Sequence, residues 1–88
     1  MMTLQDMTLP QLYNSMPRAE YPKTELVNKI YDGLLWYEQN DESWLEVELK
    51  APTRDTVMNW CTGKTKPTNP LYLRALSKIL DKPIDKLF

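Results

Sequence analysis

From Thr8 onward, apolar residues recur at helical spacing in four separate runs. Leu9, Leu12, Tyr13 and Met16 form one stripe, and Leu26, Val27, Ile30 and Tyr31 form a second. Val57, Trp60 and Cys61 can turn inward on a third, and Leu73, Leu76, Ile79 and Leu80 make a fourth. Each run carries its own boundary signals. Thr8 and Gln11 have capping-box spacing, with Pro10 in the first turn, which predicts a short helix over 8–16. Pro17 and Pro22 bracket a connector, Arg18 to Tyr21, after which Thr24 caps Glu25–Asp32 and Gly33 ends or loosens that helix. Glu25 and Lys29 stand in the favourable i,i+4 order. Thr53, after the helix-breaking Pro52, opens a run that Gly63 stops in the left-handed C′ conformation. Asn69 and Pro70 start the next helix, Lys78 and Lys82 suit its C-terminal dipole, and Pro83 opens a last short helix with Ile84, Leu87 and Phe88 apolar.

Residues 34–51 break this rhythm. Leu45-Glu-Val-Glu-Leu-Lys50 alternates apolar and polar for three cycles, and a strand accommodates all six positions where a helix accommodates four or five. Leu34–Gln39 supplies an aromatic-rich opposite strand, and Asn40–Ser43 reads as the turn. The preferred expectation is a short β-hairpin insertion. The alternative continues the helix from Thr24 to about Gln39 and makes Ser43–Lys50 a helix, with Ser43 and Glu46 as a capping box.

Composition narrows the class. Eighty-eight residues suffice for one small domain, and a single cysteine leaves the fold to apolar packing, as suits a reducing cytoplasm. Asp6 and Pro10 interrupt any signal-like apolar run, and no stretch approaches the ~20 apolar residues that span a bilayer, so no membrane partner is expected. With no histidine and one cysteine, Cys/His metal sites are excluded and nothing activates Cys61 as a nucleophile. Asp41/Glu42 and Glu46/Glu48 are not oriented as an acid–base couple. No catalytic residue, metal, cofactor or small-molecule substrate is therefore expected, and the chain does not read as an enzyme. Net charge is −1, but residues 1–49 carry −6 and residues 50–82 carry +5. That split fits a basic face for phosphates and an acidic back, although a solvated charge pattern is the plainer reading.

The basic half contains a specific pattern, Thr56-Val57-x-x-Trp60-x-x-Gly63-Lys64-x-x-Pro67. It resembles the recognition helix and following loop of Cro/repressor-type (lambda-repressor-like) helix-turn-helix proteins. The likeness runs on through Leu71–Leu80 and Ile84–Phe88, like that family's fourth and fifth helices, and covers roughly the last forty residues. Thr24-Glu-Leu-Val27 resembles the first helix of the motif pair. The resemblance implies a mainly α domain of about five helices, here with the hairpin inserted between the two motif helices. It also implies a cytoplasmic transcription regulator that binds double-stranded DNA as a homodimer; Ile84, Leu87 and Phe88, apolar at the chain end, would do the pairing, or else simply pack under the fourth helix.

Base contacts are implied for Thr53, Arg54, Asp55 and Asn59. The chemistry agrees. Arg54 suits guanine O6 and N7, Asn59 an adenine edge, Asp55 a cytosine amino group or Arg54 itself, and Met58 a thymine methyl. Lys64 and Lys66 suit phosphates, each worth about 0.9 in the log–log salt slope. Lys23 and Thr24, at a helix start, are weaker phosphate candidates. Trp60 and Cys61 are expected in the core. The competing class is a protein–protein interaction module, such as an antitoxin or accessory subunit, working through the acidic first half.

Overall fold

Polar side chains start four of the helices. Thr8 Oγ1 accepts from the Gln11 amide at 3.3 Å while Gln11 Oε1 accepts from Thr8 N–H at 3.0 Å, which opens α1 (Leu9–Ser15) with the expected capping box. After α2 (Glu20–Asn40), the Asp41 carboxylate accepts from the Ser43 and Trp44 amides and opens α3 (Glu42–Glu46). Thr53 caps α4 (Arg54–Thr62) and Asn69 caps α5 (Pro70–Leu80). A 3-10 turn, Ile84–Lys86, follows. The structure, a computed structural model, describes residues 7–16 and 20–88. Among the described residues the chain is mainly helical, with five α-helices and no strand.

The hairpin expected over residues 34–51 is not formed. Residues 34–40 complete α2, whose backbone hydrogen bonds close within the helix and leave nothing to pair with a second strand. The alternation of 45–50 does not mark a buried face either, because Leu45 and Val47 are 52% and 62% exposed. The residue that turns inward is Trp44, one position off the alternation and 2% exposed. The helical alternative is closer, but its ends move. Asp41, not Ser43, is the cap, and the helix closes at Val47 rather than running to Lys50.

Two further boundaries are corrected. Thr24 lies inside α2 and does not start it, since the helix has already begun at Glu20. Of the expected connector, Arg18 lies outside the described residues, while 20–21 are helical. Gly33 does not end the helix. Leu26, Val27, Ile30 and Leu34 line one buried face across it, and that burial outweighs the roughly 1 kcal/mol that a helical glycine costs. Its role is close approach. A Cβ at residue 33 would stand 2.6 Å from Ile79 Cδ1, so the missing side chain lets α5 lie against α2.

One apolar cluster joins all the helices, built on Leu9, Val27, Ile30, Leu34, Trp44, Val57, Trp60, Cys61, Leu76 and Leu87. α1 packs on α4, and the Leu9 amide donates to the Leu87 carbonyl at 2.7 Å, tying the two ends of the described chain together. Leu87 is thus an internal anchor, fully buried, and not the exposed residue expected for pairing. Aromatic rings pin the 47–53 connection. Trp44 meets Tyr72 edge-on at 5.3 Å, and Trp60 meets it at 5.6 Å. The Tyr72 hydroxyl donates to the Lys50 carbonyl at 2.6 Å, and Glu38 Oε1 accepts from the Ala51 amide at 2.8 Å.

Candidate nucleic-acid interface

α4 is fixed at both ends and along its inner side. At its start, Thr53 Oγ1 accepts from the Thr56 amide at 3.3 Å and lies 3.0 Å from the Thr56 hydroxyl. At its end, Gly63 takes φ 83°, while its amide and that of Lys64 bond the carbonyls of Trp60 and Asn59 at 3.3 and 3.0 Å. These two bonds make a Schellman closure, which needs the left-handed residue that glycine supplies without strain. Val57, Trp60 and Cys61 turn inward and are buried, as their spacing predicts. Burial pushes the Cys61 thiol up to about 11, which keeps it a neutral apolar group rather than a nucleophile at neutral pH.

The outer side carries the expected polar groups. Thr53, Arg54 and Asp55 are exposed on the first turn, and Asn59 is half-buried one turn further on. Asp55 does not brace Arg54, since no ion pair joins them among the described residues. Lys64 and Lys66 stand exposed beyond the closure, with Pro67 buried behind them as the anchor of the loop. Together with Pro10, Gly63 and Phe88, the two lysines border a cleft of about 360 Å³ at the C-terminal end of α4. Four of the expected side chains therefore share the helix, and two more lie on the loop that continues it.

The remaining expectations come apart. Lys23 sits on α2, where its ammonium donates to the Tyr13 carbonyl at 3.0 Å and lies 4.3 Å from the centroid of the Tyr13 ring. It acts as a strut between α2 and the end of α1. Thr24 is half-buried inside α2 and has lost the free helix N-terminus on which its phosphate role rested. Met58 is occupied as well, because it packs on the core and its sulfur lies 3.5 Å from the Tyr13 hydroxyl.

Nothing along the chain indicates that α1 borders this helix. Pro10 lies against Gly63, and Tyr13 against Met58, from contacts 53 and 45 positions away along the chain. Only the amphipathic stripe of α1 indicated that it packs on something. Compared with protein-family models, curated proteins and solved structures, the chain finds no match in any of the three.

Proposed function

We propose that the chain binds double-stranded DNA sequence-specifically and acts as a transcription regulator, laying α4 into the major groove from Thr53 onward. One observation carries this reading. Arg54 and Asp55 stand exposed, without a partner among the described residues, on the first turn of a helix whose two ends are locked, with exposed Lys64 and Lys66 just beyond it. A locked helix presents such groups at little cost in ordering, and flanking lysines add sequence-independent attraction to phosphate. The resemblance of Thr56–Pro67 to the Cro/repressor-type recognition helix supports the same reading.

In this reading Arg54 pairs with guanine, Asn59 reaches an adenine edge, and Lys64 and Lys66 hold the backbone. A two-fold homodimer would place half-sites about one helical turn apart. With Leu87 buried, Ile84, 48% exposed, and half-buried Phe88 are the apolar residues left for pairing at that end. Selection from a random duplex pool at physiological salt tests the proposal. An enriched motif is expected, and Arg54→Ala should weaken binding to it by about 1–3 kcal/mol while relaxing preference at one position. A pool that yields no motif would overturn the reading.

A further inference from the structure

The surface around α3 is chemically unlike the face of α4. Asp41, Glu42, Glu46 and Glu48 give it four carboxylates within eight residues, and no basic residue lies among them. Leu45 and Val47 project between these acids, 52% and 62% exposed. Exposed apolar side chains rimmed by charge are the composition of a contact surface rather than of a solvated turn.

A cleft of about 390 Å³ opens beside them, between the end of α2 and the turn after α3. Trp44 and Leu49 give it an apolar floor, Leu45 a wall, and Glu38 and Glu48 two carboxylates. Glu38 is held in place, since one oxygen accepts from the Ala51 amide at 2.8 Å, and its charge raises the Tyr72 pKa beyond the effect of burial. Lys50 also lines the cleft, yet forms no ion pair with either carboxylate.

We propose that this cleft receives a lysine or arginine side chain from a partner polypeptide, with that residue's apolar neighbours lying on Leu45 and Val47. The fit follows from the shape of such a side chain. Its aliphatic stem can cover the Trp44 and Leu49 floor while its cationic head meets Glu38 and Glu48. Charge selects among the occupants. A second copy applied symmetrically would bring glutamates onto glutamates, and nucleic acid would bring phosphate onto them, both of which are repulsive. A basic segment with apolar flanks is complementary on both counts. This surface is separate from α4, so the inference does not rest on DNA binding.

Display of random peptides against the immobilised full chain tests it. Enriched peptides are expected to carry Lys or Arg beside Leu, Ile or Phe. Glu48→Lys, at an exposed turn position, should weaken a selected peptide about tenfold or more, and Glu38→Gln, which can still accept from Ala51, should weaken it less. No enrichment, enrichment of acidic peptides, or binding indifferent to Glu48→Lys would overturn the proposal. Sedimentation supplies a second arm. A self-association that Glu48→Lys abolishes would make a second copy the occupant and likewise overturn it, whereas unchanged sedimentation supports it. The motif obtained from random duplexes should be the same for Glu48→Lys, which separates this surface from the reading of α4.

Discussion

α3 and α4 are built from the same local parts, and they differ in what those parts contribute. Both start on a side-chain cap, Asp41 in one and Thr53 in the other. Both end in a Schellman closure. The Glu48 and Leu49 amides bond the carbonyls of Leu45 and Trp44 at 3.2 and 2.9 Å, as those of Gly63 and Lys64 bond Trp60 and Asn59. The residue in the left-handed position is glycine in α4, at φ 83°, and glutamate in α3, at φ 55°. α4 buries three side chains over nine residues, whereas α3 buries Trp44 alone over five. A helix of five residues is too short to hold itself, so α3 exists because Trp44 is captured by Tyr37 and Tyr72. One helix is determined mostly along the chain and the other mostly across it.

Removing the capture should separate the two most sharply. Trp44→Ala is expected to cost about 3–5 kcal/mol, read as a lowered urea midpoint, whereas Leu45→Ala beside it should change stability by less than about 0.5 kcal/mol. Equal effects would contradict the dependence of α3 on one ring. The next effect depends on pH and belongs to α4. Cys61 has a folded pKa raised from 9.0 to about 11, so the unfolded chain loses its thiol proton first as pH rises. The stability linked to this group is fully present below about 9 and is lost between 9 and about 11, a loss that Cys61→Ala should abolish in unfolding curves taken at pH 8 and 10.5.

The two closures give smaller and opposite changes. Gly63→Ala forces a side chain into the left-handed region and should destabilise by about 1–2 kcal/mol, with a lowered thermal midpoint. Contact adds little to this, because the new Cβ would meet Pro10 at an ordinary 3.4 Å. Glu48→Gly relieves the same strain in α3 and should stabilise by about 0.5–1 kcal/mol, less the added freedom of the unfolded glycine. If Glu48→Gly instead lowered the midpoint, the turn after α3 would owe its shape to the Glu48 side chain rather than to its backbone.

The candidate site was largely readable, because most of it depends on one helix and its ends. Thr53, Gly63 and the spacing of Val57, Trp60 and Cys61 locate α4, and whatever they leave on the other side is its outer face. Lys23 and Thr24 were misplaced because their role depended on where α2 begins. Pro22 lies within the first turn of α2, where a missing N–H is harmless, so it did not stop the helix. Met58 was lost to a partner 45 residues away.

Local sequence was enough to specify three helix starts, at Thr8, at Thr53 and at Asn69-Pro70, together with the closure at Gly63 and the inward set of α4 and α5. Those features arise from backbone groups and side chains within a turn or two of one another, so local order suffices to specify them. Packing between distant segments carries α2 through Gly33, sets α1 beside α4, and leaves Leu45 and Val47 outward while Trp44 and Leu49 pack on the core. In each case the deciding contact joins distant positions, Gly33 with Ile79, Pro10 with Gly63, Trp44 with Tyr72. Burial across such distances outweighs the fraction of a kcal/mol by which local preference separates a helix from a strand.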